Sequence, residues 1–265
     1  MTTTDTDFTS FDLPATRIAE TGPITDAEIA IRRDLAAAYR LCALYGWDDL
    51  IYTHISARVP GAEHHFLVNP LGLGFDEITA SSLVKIDLDG NVIGDSPHRP
   101  NAAGFVIHGA IHSTREDAHC VMHLHTEAGM ALSVLEEGLL PLTQHAMRFH
   151  DRIGYHDYEG IALTMDEQQR IVADLGDNAA LILRNHGTLT VGRSVGHAFT
   201  ETFYLEKSAR TQLLAQATGR PLRIPDDALR ALTVRQWTDD LGVSNDREWP
   251  HLLRKLDRID PTYRD

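Results

Sequence analysis

The segment Cys120-Val-Met-His-Leu-His-Thr126 carries two histidines, His123 and His125, separated by one residue. Most of the segment is apolar, which predicts a buried β-strand. Side chains alternate between the two faces of a strand, so the two imidazoles are expected to share one face with Val121. Two neutral imidazoles held side by side form half of a divalent metal site. A pair of histidines with a surface or core role is the alternative interpretation.

A third histidine, His186, lies just beyond the apolar run Ala179-Ala-Leu-Ile-Leu183, which predicts a second short strand. Gly187 comes directly after this histidine, and a glycine is expected to let the backbone turn there. A histidine at the end of a strand, next to a turn, is well placed to project into a cleft. A structural role for His186 is the alternative.

Further segments complete a pattern of fixed order and spacing. They are Thr53-His-Ile-Ser-Ala-Arg58, Asn69-Pro-Leu-Gly-Leu-Gly-Phe-Asp-Glu-Ile-Thr79, Tyr155-His-Asp-Tyr-Glu-Gly160 and Asn185-His-Gly187. Together with Met122-His-Leu-His-Thr126, they resemble the class II aldolase/adducin family, and Tyr155–Gly160 is typical of its bacterial adducin-like branch. The similarity covers about residues 24–217.

The resemblance implies an α/β protein with a three-layer αβα, class II aldolase-like fold around a central mixed sheet. It implies one divalent metal ion, with His123, His125 and His186 as the ligands. It also implies a homotetramer with active sites at the subunit interfaces. Imidazole ligands suit several ions, so zinc, iron and manganese all remain open.

The length of the chain supports one substantial core, because 43% of its 265 residues are hydrophobic. We expect a flexible leader over residues 1–22, a class II aldolase/adducin domain over 23–220 and a C-terminal helical extension over 221–265. Thr25 and Glu28 have the spacing of a capping box at the start of a helix that ends before Gly46. Other helices are predicted over 101–115, from about residue 126, over 166–175 and over 197–217, and strands near 51–59, 66–69 and 83–87.

Charge and cysteine content exclude several kinds of partner. The formal net charge is −14, and no lysine or arginine cluster stands out, so nucleic acid is not an expected partner. The chain has two cysteines, Cys42 and Cys120, which argues against a disulfide framework and for a cytoplasmic location. No apolar stretch approaches the roughly 20 residues that cross a membrane, so none is expected to do so.

Several residues depart from the pattern of the sugar-phosphate aldolases that the chain resembles. Those enzymes carry Ser-Ser-Glu nineteen residues before the first metal histidine, where this chain has Ala102-Ala-Gly104. Thr53-His54 replaces their Gly-Asn, and Leu71 replaces a threonine. A buried phosphate needs dense hydrogen bonding. We therefore expect a non-phosphorylated, small-molecule carboxylic acid as substrate. The residues expected to line its pocket are Leu71, Gly72, Ala102, Ala103 and Gly104.

The missing glutamate leaves the proton-transfer group open. The candidates are His54, His145 and Tyr155, whereas His108, His112, His150 and His156 are expected to have packing or surface roles. His54 replaces a pocket residue, and His145 lies where the family tends to place a proton donor. Arg148 is a candidate partner for a substrate carboxylate, with solvent exposure as the alternative.

Three functions follow from the resemblance. The first is a metal-dependent lyase, of decarboxylase or aldol type, that cleaves a C–C bond next to a carbonyl or carboxylate of an oxo- or hydroxy-acid. The second is a non-haem Fe(II) oxygenase that oxidatively decarboxylates an arylpyruvate-like substrate, as in aminocoumarin pathways. The third is a non-catalytic scaffold of the adducin kind.

Overall fold

The computed structural model describes residues 17–19, 22–61, 64–100, 102–160, 165–240 and 245–265. For residues 102–106, 165–166, 239–240 and 245–246, the description covers the backbone alone. The predicted leader, residues 1–22, falls largely outside the described residues.

Nine strands of the described residues form one mixed sheet in the order β1-β5-β4-β3-β2-β6-β9-β8-β7. The pairs β1–β5 and β7–β8 are parallel, and the other neighbours are antiparallel. The strands are β1 Arg17–Ile18, β2 His54–Arg58, β3 Phe66–Val68, β4 Val84–Ile86, β5 Val92–Ile93, β6 Cys120–Leu124, β7 Ile153–His156, β8 Ala180–Leu183 and β9 Gly187–Gly192.

Helices cover both faces of this sheet. Along β6, Met122 and Leu124 pack into a core with α1, α5 and α7, whereas Val121 packs with α2 and α4 on the opposite face. This alternation confirms the predicted three-layer α/β architecture and the predicted strand. The helices are α1 Asp26–Tyr45, α2 Ala102–Thr114, α3 Glu127–Ser133, α4 Met165–Leu175, α5 Val195–Gln216, α6 Asp227–Arg235 and α7 Asn245–Asp257. Among those in the described part of the chain, none has both the length and the apolar character needed to cross a bilayer.

At the start of α1, one of the two hydrogen bonds of the predicted capping box is formed. The Thr25 side chain accepts a hydrogen bond from the Glu28 backbone N–H at 3.2 Å, as expected for an N-cap. The Glu28 side chain, however, is buried and pairs with Lys85 and Arg32, both at 2.8 Å. The reciprocal bond of the predicted box is therefore replaced by an ion-pair network, because burial of this carboxylate demands cationic partners.

The described part of the C-terminal extension shares its core with the rest of the chain. Trp249 of α7 is buried, and its indole N–H donates to Asp34 of α1 at 3.0 Å. Its ring lies against Gly196 of α5, where an added Cβ would come within 2.5 Å of the indole Cγ. Leu256 and Tyr263 complete this contact within the same core.

Truncation of Trp249 should therefore destabilise the whole fold. We expect Trp249→Ala to lower the free energy of unfolding by about 3–5 kcal/mol, because it leaves a large cavity between three helices. Urea denaturation followed by circular dichroism measures this loss. Trp237→Ala is the matched control, since that ring is partly exposed and should cost less. A loss for Trp249→Ala as small as that of an exposed side chain would show that α7 does not support the core.

Candidate metal centre and active site

Three histidines from two different strand ends meet at one point. His123 lies in β6, His125 just beyond it, and His186 in the turn between β8 and β9. The three ring centroids form a triangle with every side at 4.8 Å. One ligand atom of each histidine lies within 4.8 Å of the others. The structure thus brings together the three residues that the sequence pattern singled out.

The outer nitrogens of two of these rings have partners that orient the inner nitrogens. His123 Nδ1 donates to the Thr188 carbonyl at 3.1 Å, and His125 Nδ1 contacts the Asp49 carboxylate at 2.8 Å. The two Nε2 atoms then face each other at 3.1 Å. When both rings are neutral, two lone pairs face each other at this distance and repel unless a cation lies between them, so the donor set fits a metal ion. Such carboxylate and carbonyl partners are typical of metal-bound histidines.

Protonation of the ligands also suits metal binding. Burial, followed by the neighbouring imidazoles, lowers the pKa of His186 to about 4. The same causes hold the pKa of His123 well below its usual value. Both rings are therefore neutral at pH 7, which is the form that binds a metal without first releasing a proton.

The turn that carries His186 differs from the expectation. Asn185, rather than Gly187, adopts the left-handed conformation, with φ of 56°. Asparagine tolerates this region better than most residues. An added Cβ at Gly187 would lie 2.6 Å from the Leu124 carbonyl oxygen. The prediction that Gly187 makes the turn is thus wrong, and its lack of a side chain serves the close approach of β9 to β6.

Asp49 has a specific expected effect on metal affinity. Asp49→Asn should weaken zinc binding by about 10- to 100-fold, because the carboxylate no longer orients His125 or raises its basicity. Competition with a chromophoric chelator measures the affinity. Asp48→Asn is the matched control, since Asp48 is exposed and is not the partner of His125. Unchanged affinity in Asp49→Asn would exclude this role.

His54 is the candidate proton-transfer residue that lies beside the three histidines. In the pairing of β2 with β6, His54 is directly opposite His123, and their ring centroids are 5.1 Å apart. The preceding residue, Thr53, has φ of 63° and a buried hydroxyl without a hydrogen-bond partner. A β-branched residue in this region is strained. The geometry therefore makes His54 part of the candidate site.

The predicted substrate wall is partly brought together. Leu71 and Gly72 lie in a turn after β3, and the Leu71 N–H donates to the Arg99 carbonyl at 2.8 Å. A β-bridge between Pro70 and Pro100 joins the same two segments. Helix α2 starts two residues later, so the turn lies close to its N-terminus. The predicted residues Ala102, Ala103 and Gly104 form this N-terminus, and their side chains lie outside the described residues.

His145 and Arg148 lie in a different cluster, against α5. The His145 ring stacks on Tyr204, with centroids 4.7 Å apart. Arg148 is buried and holds the Glu201 carboxylate through two hydrogen bonds of 2.6 and 2.9 Å. Its guanidinium also lies 5.1 Å from the Trp237 ring centroid. These contacts of His145 and Arg148 lead to Tyr204, Glu201 and Trp237 and not to the three histidines, so the geometry gives no support to a substrate contact for either residue.

Tyr155 also has a packing environment. Its hydroxyl accepts a hydrogen bond from the Leu139 N–H at 3.0 Å. Its ring lies under the Arg184 guanidinium, 4.5 Å from the centroid, and beside Gly138. These contacts show Tyr155 packed between neighbouring segments, and a catalytic role for this residue remains a prediction.

Glu201 should make the stability of the chain sensitive to Arg148 and to pH. Burial raises the pKa of the Glu201 carboxyl, but the hydrogen bonds and charge of Arg148 outweigh it and hold the pKa below its usual value. A carboxyl with a lowered pKa stabilises the fold at pH values above its unfolded-state pKa of about 4.3. This stabilisation is lost as the pH falls through the folded-state pKa. Arg148→Ala should therefore cost about 3–5 kcal/mol at pH 7, because it removes both hydrogen bonds from Arg148 to the buried Glu201 carboxylate and leaves the longer contact with His197 Nε2 at 3.5 Å.

The difference between wild type and Arg148→Ala should narrow as the pH falls toward the lowered folded-state pKa of wild-type Glu201, since a protonated carboxyl needs no cation. Denaturation at pH 7 and at lower pH measures it. Arg230→Ala is the control, because its partner Asp227 is exposed, and a loss of at most about 1 kcal/mol is expected. A constant difference across the pH range would contradict the assignment.

Comparison with known proteins identifies the family. The model of the Class II Aldolase and Adducin N-terminal domain matches residues 33–213. The chain therefore belongs to the class II aldolase/adducin family, as its motifs predicted. A protein of Caulobacter vibrioides named after aldolase class 2 is 53% identical over 245 residues, 92% of this chain and 95% of its own length. Mouse alpha-adducin is 44% identical over 197 residues, 72% of this chain but 27% of its own length.

Solved structures agree with this assignment. An aldolase II superfamily protein from Pseudomonas syringae matches with a TM-score of 0.88 and 48% identity, covering 91% of this chain and 98% of that chain. An L-fuculose 1-phosphate aldolase from Glaciozyma antarctica matches with a TM-score of 0.80 and 30% identity, covering 92% and 97%. These matches confirm the predicted class II aldolase-like fold.

Proposed function

We propose that this chain is a metal-dependent lyase that breaks a C–C bond next to a carbonyl or carboxylate of a non-phosphorylated oxo- or hydroxy-acid. The convergence of His123, His125 and His186, with Nε2 atoms of the first two 3.1 Å apart, carries the proposal. Family membership supports it, because class II aldolases are generally lyases. We also propose that the protein is a cytoplasmic homotetramer. Light scattering would measure the mass of the assembly.

A divalent ion on these three histidines would supply a Lewis acid that stabilises negative charge on a substrate oxygen. The ligands described are imidazoles, which suit zinc, iron and manganese to different degrees. Zinc fits a lyase best, because a three-histidine site leaves a fourth position open. The chain contributes the orientation of the ligands through Thr188 and Asp49, and this orientation does not depend on the choice of ion.

His54 is the residue that we assign to proton transfer. It lies beside His123 in the sheet, and its ring belongs to the same buried face. Aldol and related cleavages need a group that moves a proton at the reacting carbon or oxygen. Gly104 stands where related aldolases carry a glutamate, so another residue is needed, and His54 is the nearest of the three candidates to the ligands by its contacts.

The substrate class follows from the residues that replace phosphate contacts. Leu71 and the segment Ala102–Gly104 offer no side-chain donor to a phosphate, and a poorly solvated dianion would be costly to bind. The Glaciozyma enzyme is an L-fuculose 1-phosphate aldolase, so these replacements mark the difference that we propose between that enzyme and this chain. An uncharged or carboxylate-bearing substrate is the better match.

Removal of the His54 imidazole tests the proposed reaction. In a screen of 2-oxo and hydroxy acids for carbon dioxide or aldehyde release, we expect His54→Gln to lower kcat by about 10²- to 10⁴-fold. Bound metal, measured by elemental analysis, should stay at the wild-type level. His150→Gln is the control, since its ring faces the exposed Asp151. Turnover of a sugar phosphate in preference to every acid would overturn the substrate class.

A non-catalytic scaffold is the second candidate, and the 44% identity with mouse alpha-adducin favours it. Elemental analysis of protein purified anaerobically separates the candidates. One equivalent of zinc or manganese, lost in His123→Ala, supports the lyase. One equivalent of iron with oxygen uptake on arylpyruvates would replace it by the oxygenase. A folded protein that binds no metal even after reconstitution would support the scaffold.

A further inference from the structure

A row of buried polar side chains extends from His54 away from the three histidines. His54 Nδ1 contacts His108 Nε2 at 2.9 Å, and His108 Nδ1 contacts the Ser56 hydroxyl at 2.6 Å. The same hydroxyl contacts His112 Nε2 at 2.7 Å, and His112 Nδ1 contacts the Ala118 carbonyl at 2.9 Å. All four side chains are buried, with exposures of 3% or less. We call these residues the histidine row.

The end of the histidine row determines the direction of every hydrogen bond in it. A backbone carbonyl only accepts, so His112 Nδ1 carries a proton and donates to Ala118. A neutral imidazole has one N–H, which leaves His112 Nε2 as an acceptor. The Ser56 hydroxyl must then donate its single proton to His112. Ser56 has no second proton, so it accepts from His108 Nδ1–H.

The hydrogen-bond directions are fixed as far as His54. Because His108 is protonated at Nδ1, its Nε2 is an acceptor, and His54 Nδ1 must donate to it. All three imidazoles of the histidine row are thereby held as Nδ1–H tautomers. The His54 Nε2 is left without a proton, on the ring that lies beside His123.

These hydrogen-bond directions hold for neutral imidazoles, and the surroundings of the histidine row favour the neutral form. Burial, followed by the charge of Arg58, lowers the pKa of His112 to about 3. Burial also holds the pKa of His108 well below its usual value. Within the described residues, no carboxylate is in hydrogen-bond contact with a ring of the histidine row. A buried imidazolium without such a partner is unfavourable.

We propose that His108, Ser56 and His112 are positioning residues that hold His54 as the Nδ1–H tautomer, so that its Nε2 lone pair accepts a proton from the substrate. The catalytic part of this proposal rests on the proposed function, whereas the tautomer itself does not. The substrate is therefore expected to carry a C–H or O–H group that gives up a proton next to the metal site. In its resting state His54 accepts a proton from a C–H or O–H group, and it offers no Nε2–H to a substrate anion.

Nitrogen-15 NMR measures the tautomer directly. Protein labelled with ¹⁵N-histidine, studied in the solid state, should show protonated Nδ1 and unprotonated Nε2 resonances for His54, His108 and His112. His54→Gln, His108→Gln and His112→Gln variants assign the signals. A protonated Nε2 on neutral His54 in the wild type would overturn the proposal.

His112→Phe tests the role of the row as a unit. The His112 ring packs on Phe66, with centroids 5.1 Å apart, so phenylalanine keeps a ring there. The Ser56 hydroxyl then has His108 Nδ1 as its remaining acceptor, and both His108 and His54 should shift to the Nε2–H form. His251→Phe, at an exposed position on α7, should leave the His54 signals unchanged.

An unchanged His54 tautomer in folded His112→Phe would show that the histidine row does not determine it. The spectra are recorded on the protein as purified and again after addition of zinc. A chain that keeps the expected tautomers but binds no zinc would contradict the proposed function and leave the tautomer assignment intact. The two proposals therefore fail separately.

Discussion

The antiparallel pairing of β6 with β2 and β9 is the constraint on which the candidate site depends. Its register sets His123 opposite His54 on one side and Leu189 on the other. It also brings the Thr188 carbonyl to His123 Nδ1. A shift of β6 by one residue would turn His123 and His125 toward the core beneath α1 and α5, because side chains alternate along a strand. The apolar residues of β6 therefore hold the site in place by resisting such a shift.

Local backbone strain is found at both edges of this arrangement. Thr53 and Asn185 precede His54 and His186, and each has a left-handed backbone with φ near 60°. Non-glycine residues with this conformation are tolerated where the surrounding structure holds them. In the family pattern that the chain resembles, glycine stands at position 53, which removes the strain but also the buried hydroxyl. The chain thus combines an unfavourable conformation with a polar atom next to the site.

Much of the fold and of the candidate metal site could be predicted from local patterns. The apolar run around His123, the helix that contains His108 and the spacing of the family motifs all concern residues near each other in the chain. The prediction for Gly187 was wrong, because the left-handed conformation in the turn belongs to Asn185. Gly187 is needed instead where the backbone of Leu124 leaves no room for a side chain. The environment of Arg148 was also unpredictable, since its partner Glu201 lies 53 residues away.

The sequence by itself determined that His123 and His125 share one face and that the chain carries the motifs of the class II aldolase/adducin family. Both follow from periodicity and order, which are written along the chain. Only the tertiary structure decided which groups control the protons on the imidazoles. Asp49 reaches His125 across 76 residues, and His108 reaches His54 across 54. Hydrogen-bond direction depends on distance and angle between such remote atoms, and no local pattern encodes it.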